Sequence, residues 1–258
     1  MHMINLVKAE MYRLINRKFL YILSGTLVLF IFLLTAAMRV PLGDFIALSK
    51  VFIVLPIFLW PIITDAVIGE EFKDKTYINT VTYGVTKLSF YISKVIASSI
   101  IVLMLTFLMV LSWYMFTSLM AGGLVGGELL INLILSVLAA LPLYLAAVLF
   151  STLLAFMLRK SSLAMFVYWG AISLSFFINL VQQFNMKFGP IYDALLTTQL
   201  LKLAGSPKMI HINTPSIKLS FVGGGITGCT QMYTAVIIGA AYILAFIVIS
   251  VILNRKWK

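Results

Sequence analysis

Charge is what this chain has least of. Only 10% of its 258 residues are charged, whereas 62% are hydrophobic and the mean hydropathy is +1.09. So few polar groups cannot cover the surface of a water-soluble globule of this length. The composition therefore predicts a polytopic membrane protein. The net charge of +11 does not indicate nucleic acid, because the bases lie at the ends of apolar runs, where orientation and anionic headgroups explain them.

The residues that usually carry chemistry are also scarce. A single cysteine, Cys229, excludes an internal disulfide framework and a cysteine-based metal cluster. Of two histidines, His2 belongs to an apparent cloning scar, so His211 stands alone and an H-E-x-x-H metal site is excluded. No serine has an evident basic partner. We therefore expect no enzyme and no cofactor in this chain.

Neither of two common nucleotide-binding motifs indicates a nucleotide site in this chain. There is no G-x-x-x-x-G-K-[ST] sequence, so ATP could act only through another polypeptide. A formal G-x-G-x-x-G spans residues 223–228, but an apolar helix follows it and no acid does, which favours a flexible turn over a dinucleotide site. Acids and bases are missing from the middle of the apolar runs, although proton-coupled transporters usually need them there.

Long apolar runs predict six transmembrane helices, because about 20 residues cross a hydrocarbon core. The second run should be kinked by Pro56 and Pro61, and the fourth contains Pro142. Residues 4–18 alternate apolar and charged side chains at helical spacing, which predicts an interfacial helix on the membrane surface. The predicted spans are 19–38, 45–68, 95–120, 129–158, 163–181 and 232–253.

The distribution of bases predicts the topology. With the amino terminus inside, only six of the nineteen lysines and arginines fall on the outer side, and thirteen on the cytoplasmic side. Both termini are thus expected in the cytoplasm, and residues 182–231 form an extracellular segment. With no targeting segment evident, a bacterial inner membrane is expected. The six outer bases are Arg39, Lys50, Lys187, Lys202, Lys208 and Lys218.

The most polar stretch, residues 69–94, separates the second and third runs. It holds three of the eight acids and four of the nineteen bases, so it must face water. Its pattern predicts a short helix that ends near Gly84, and Thr86 can cap the next helix. Residues 76–83 are rich in β-branched and aromatic side chains, which alone would favour a strand, but we expect tertiary context to impose a helix. Asp65 lies one turn earlier and is a candidate polar site at the membrane boundary, either structural or coupling, or in contact with an ion or substrate.

The segment Glu71-Phe-Lys-Asp-Lys-Thr-Tyr-Ile-Asn79, followed by Tyr83-Gly84 and by Ser93-Lys94, resembles the first cytoplasmic loop of type-2 ABC exporter permeases. It is most similar to the small permeases that move bacitracin, lantibiotics and other peptides or confer immunity to them. The resemblance implies a type-2 ABC exporter fold in one transmembrane domain, residues 1–258, with an elbow helix over 4–18 and a coupling helix over 70–84.

The resemblance also implies partners. A cytoplasmic ABC ATPase would bind ATP and Mg²⁺, and a second permease chain, identical or related, would complete a dimer surrounded by membrane lipids. The residues expected to couple to the ATPase are Glu70, Glu71, Phe72, Lys73, Lys75, Thr76, Tyr77, Ile78, Asn79, Val81, Tyr83 and Gly84.

The expected function is that of a permease subunit of an ATP-driven exporter that moves an amphipathic or antimicrobial peptide. An alternative is an ATPase-independent immunity or scaffold protein that sequesters such a peptide. A lesser alternative is an ABC-type permease for sodium or drug extrusion.

Overall fold

The chain folds as helices. The structure, a computed structural model, describes residues 3–38, 53–74, 76, 82, 85–120, 127–184, 189–203 and 229–256. Within these residues 95% are helical and there is no strand, which confirms the all-α class. Thr76 and Thr82, the two described residues of the β-branched run, are both helical.

The amino-terminal region consists of two helices joined by a tight turn. The amphipathic α1, Met3–Ile15, buries Leu6 and Leu14 and leaves Lys8 exposed. The apolar α2, Lys18–Met38, follows after two residues, and the Arg17 N–H donates to the Leu14 carbonyl (3.1 Å) in the turn between them. α1 thus packs against the bundle at the end where α2 begins.

Long apolar helices make up most of the remaining structure. Four segments are long and apolar enough to cross a membrane, namely Lys18–Ala36, Lys87–Met120, Leu133–Leu158 and Thr230–Leu253. Two further apolar segments, Pro56–Gly69 and Ser162–Leu174, are shorter. The described helices are therefore those of an all-α membrane protein, and the count of six spans stays a prediction. The long helices that follow the central segment are α5 (Lys87–Met120), α6 (Gly127–Leu158), α7 (Ser161–Phe184) and α10 (Cys229–Lys256).

The described part of the predicted second span is an irregular segment at the centre of the bundle. It consists of α3, Pro56–Thr64, then a π-helix, Asp65–Gly69, then the short α4, Glu70–Lys73. Most of its side chains are buried, and it contacts α5, α6 and α7. These three long helices therefore pack around it. Residues 39–52, including the predicted outer turn, lie outside the described residues.

Side chains from α6 and α7 donate to carbonyls of the central segment, and one of these carbonyls lacks its helical donor because of Pro61. Proline has no N–H, so the Ile57 carbonyl four residues earlier lacks its helical donor. The Tyr168 hydroxyl donates to that carbonyl (3.0 Å), and the Trp169 indole N–H donates to the Phe58 carbonyl (3.1 Å). The Tyr144 hydroxyl donates to the Ile53 carbonyl (2.6 Å). These bonds satisfy backbone groups that could not find water inside a membrane.

α6 and α10 approach each other closely at Gly239. A Cβ placed on Gly239 would lie 2.7 Å from the Pro142 Cβ and 2.9 Å from the Leu143 backbone nitrogen. Only glycine permits this approach. A small residue at a helix contact allows such close packing.

Two short helices cover the opposite end of the bundle from α1. They are α8, Gly189–Ala194, and α9, Leu196–Leu203, within the segment predicted to be extracellular. α9 buries Leu200 and Leu203 and packs against α10 and α6. The Tyr242 hydroxyl of α10 donates to the Ala194 carbonyl (3.0 Å). Residues 204–228, including the G-x-G-x-x-G sequence, lie outside the described residues.

Candidate functional site

Charged side chains from several parts of the described structure lie around the π-helix. A π-helix misaligns the regular i to i+4 hydrogen bonds and often marks a functional position. Two arginines from the amino-terminal region donate to its carbonyls, Arg13 to Val67 (2.8 Å) and Arg17 to Ala66 (2.7 Å). The end of α1 and the start of α2 are thereby fixed to the irregular central segment.

One side of the π-helix carries a buried ion-pair network of Glu10, Arg13, Glu71 and Lys94. The Lys94 side chain is 0% exposed, and its Nζ lies 2.6 Å from Glu10 Oε1 and 2.5 Å from Glu71 Oε1. Arg13 pairs with Glu71 and with Glu10, the latter at 2.8 Å. Two carboxylates thus balance two cations, as burial of a charge requires.

This ion-pair network connects three segments that are distant in sequence. Glu10 and Arg13 belong to α1, Glu71 to α4 and Lys94 to α5. An aromatic cluster next to it adds packing, since the Phe156 ring of α6 meets Phe72 edge to face, with ring centroids 5.2 Å apart. Movement of α4 would therefore be transmitted to α1, α5 and α6 together.

The other side of the π-helix faces an open cavity of about 990 Å³, here called the basic cavity. Its cations come from the turn before α2, from α4 and from the connection between α6 and α7. Only one carboxylate, that of Asp65, lies among the described lining residues. The charged lining residues are Arg17, Lys18, Lys73, Arg159, Lys160 and Asp65.

Aromatic and aliphatic side chains line the rest of the basic cavity. Phe19, Leu163 and Phe166 are exposed lining residues, Phe166 by 71%. The cavity therefore has exposed apolar side chains beside its cations, at the starts of α2 and α7. No group of three histidine, cysteine, aspartate or glutamate side chains able to hold a metal occurs among the described residues.

The structure describes some of the predicted coupling residues, the predicted boundary residue Asp65, and none of the remaining coupling residues. Lys73 and Thr76 are exposed, Phe72 is half-buried against Phe156, and Glu70 begins α4. Asp65, the predicted boundary residue, begins the π-helix and lines the basic cavity. The residues Lys75, Tyr77, Ile78, Asn79, Val81, Tyr83 and Gly84 lie outside the described residues.

Glu71 pairs inside the chain. The residue is only 9% exposed, and its carboxylate pairs with Arg13 and Lys94. The buried ammonium of Lys94 requires a carboxylate nearby. The charged contact between Glu71 and an ATPase stays a prediction.

Sequence reasoning missed the partners of Glu71. Glu10 and Arg13 were placed on the polar face of an interfacial helix, and Lys94 at a membrane boundary. One signal could have pointed to them, because Lys94 directly precedes the predicted third span, where a lysine that enters the bundle needs a partner. Acids are so few that Glu10 and Glu71 were among a small set of candidates.

No family model, curated protein or solved structure matches this chain. The fold and the site together define an all-α membrane protein. Its irregular central segment lies between a neutral ion-pair network and a basic cavity.

Proposed function

We propose that this chain is the permease subunit of an ATP-driven exporter, powered by a separate ATPase subunit. The proposal takes its class from the resemblance of residues 71–94 to the coupling loop of type-2 ABC exporter permeases. The geometry around α4 supports it in a specific way.

The observation that carries the proposal is the attachment of α4. This short helix continues directly from the buried central segment, and Glu71 links it to α1 and α5. On its other side Lys73 and Asp74 are exposed. A partner that moved the exposed side would therefore move the core, as a coupling element must do.

The surface supports a partner within the membrane and an apolar cargo. α2 and α10 expose large aliphatic side chains such as Leu33 and Ile237, where lipid, a second permease chain or an amphipathic peptide could lie. Sodium extrusion has less support, because the basic cavity holds one carboxylate among its described residues and an excess of cations would repel the ion.

The test is purification of the tagged chain from its own membrane, followed by mass spectrometry and an ATPase assay. We expect a co-purifying protein with a P-loop sequence and ATP hydrolysis that depends on it. The double variant Lys73→Ala/Asp74→Ala should lose this protein, since both side chains are exposed at the proposed contact. Lys8→Ala, on the exposed side of α1, should retain it.

Failure to recover a P-loop protein with the unaltered chain, in a detergent that preserves a known ABC complex, would contradict the proposal. The ATPase-independent sequestering function would then be favoured. Recovery that is equally strong with Lys73→Ala/Asp74→Ala would separate the partner from α4.

A further inference from the structure

We propose that the basic cavity binds the phosphate headgroup of an anionic phospholipid, whose acyl chains lie against the apolar side chains at its rim. The proposal is independent of the ATPase, because its test changes Lys18, Lys160 and Asp65, and none of these residues is changed in the test of the exporter function.

The described lining of the basic cavity has an excess of positive charge. Five of the described lining residues are cationic and one, Asp65, is a carboxylate, whereas the ion-pair network on the other side of the π-helix is balanced. Lys18, Lys73 and Lys160 are exposed lining residues, so their ammonium groups can reach a ligand. Several cations that line one cavity favour an anion between them.

The backbone around the basic cavity also favours an anion. α2 begins at Lys18 and α7 at Ser161, and early residues of both helices line the cavity, so the positive ends of two helix dipoles border it. Between α6 and α7, Arg159 has a φ of 50°, a left-handed conformation that favours glycine. An arginine here accepts strained backbone and brings a guanidinium to the cavity wall.

The cavity also lies at the start of two apolar helices. α2 contains a segment long and apolar enough to cross a membrane and α7 a shorter apolar segment, so we expect the first residues of both helices near the membrane surface. Phe19, Leu163 and Phe166 line the cavity and are exposed. A ligand with both a phosphate and acyl chains fits this combination. Basic pockets between helix ends are typical sites for acidic lipid headgroups.

Free phosphate would satisfy the cations but would leave the apolar rim unused. The two sources share one chemistry and can be distinguished by adding each separately. The lipid probe is phosphatidylglycerol, with phosphatidylcholine as the zwitterionic control, and the soluble probe is inorganic phosphate.

The experiment measures lipid retention by native mass spectrometry after the protein is exchanged into detergent and titrated with each probe. Lys18→Gln and Lys160→Gln should each weaken retention of phosphatidylglycerol about fivefold, the effect of one basic residue at an anionic surface. Lys8→Gln removes the same charge from the exposed side of α1, outside the cavity lining, and should leave retention unchanged. Asp65→Asn should strengthen retention, because it removes the one carboxylate.

Preferential retention of phosphatidylglycerol that changes in this order supports the proposal. Equal effects of Lys8→Gln and Lys160→Gln would overturn it, since generic surface attraction would then account for binding. Inorganic phosphate that displaces the lipid only weakly agrees with the proposal. Phosphate that binds as tightly as the lipid, and is lost in Lys160→Gln, would overturn the lipid assignment.

Discussion

The two sides of the π-helix differ in their balance of charge, although they lie within a few residues of one another. On one side Glu10, Arg13, Glu71 and Lys94 cancel each other in a buried network. On the other side the cations among the described lining residues of the basic cavity outnumber the carboxylate, and Lys18, Lys73 and Lys160 are exposed. The comparison shows that lysines of the same polar region have different roles. Burial and partners decide whether a lysine stabilises the fold or is available to a ligand.

The largest expected effect comes from the buried side. Lys94→Ala would leave two carboxylates with one arginine, and removal of one partner from a buried ion pair costs ~3–5 kcal/mol. The free energy of unfolding should fall by that amount in a mixed-micelle titration with SDS, followed by circular dichroism. Lys8→Ala is the control and should change it by less than ~0.5 kcal/mol. A loss below ~1 kcal/mol for Lys94→Ala would contradict a structural role for the network.

A packing change away from both sides provides a reference for this electrostatic effect. Gly239→Ala would force α6 and α10 apart, and overpacking of this kind costs ~1–3 kcal/mol. Gly170→Ala has no neighbouring atom within 4 Å of the new Cβ and should be neutral or stabilising. The same SDS titration measures both. If the two glycine variants behaved alike, the contact between α6 and α10 would not be as close as described.

A smaller effect tests how the central segment is held in place between the two sides. Tyr168→Phe removes the donor to the Ile57 carbonyl and should cost ~1 kcal/mol. In a Pro61→Ala background the helix regains its own N–H donor, so the same substitution should cost less. A double-mutant cycle measures the difference. Identical costs in both backgrounds would show that the tyrosine does not compensate for the proline.

The sequence predicted the helices better than the site. Long apolar runs indicated α2, α5, α6 and α10, because length and hydropathy suffice to define a helix that can cross a membrane. The two prolines predicted an irregular second span, but not the π-helix, whose position depends on donors from elsewhere in the chain.

The site was harder to predict because its contacts are long-range. Glu10 and Lys94 are separated by more than eighty residues, and helical periodicity within α1 or α5 contains no information about their pairing. Glu71 was predicted to couple to a partner, but its local sequence could not show that its carboxylate pairs with Arg13 and Lys94. The basic cavity likewise combines side chains from the start of α2, from the central segment and from the connection between α6 and α7.

The smallest expected effect comes from the exposed side. In detergent without phospholipid, Lys160→Gln should change the free energy of unfolding by less than ~0.5 kcal/mol, because the lysine is exposed and its charge is repelled by neighbouring cations. The SDS titration used for Lys94→Ala checks this directly. A loss as large as that of Lys94→Ala would mean that the cavity cations are structural and would remove the distinction between the two sides.

One measurement tests that distinction most directly, namely the thermal unfolding temperature of Lys94→Gln and Lys160→Gln in nanodiscs of phosphatidylglycerol and of phosphatidylcholine. Lys94→Gln should lower the temperature by about 10 °C in both lipids, because its partners are internal. Lys160→Gln should lower it only in phosphatidylglycerol, where the unaltered protein gains stability from the bound lipid. Equal losses for Lys160→Gln in the two lipids, or a lipid-dependent loss for Lys94→Gln, would contradict the account.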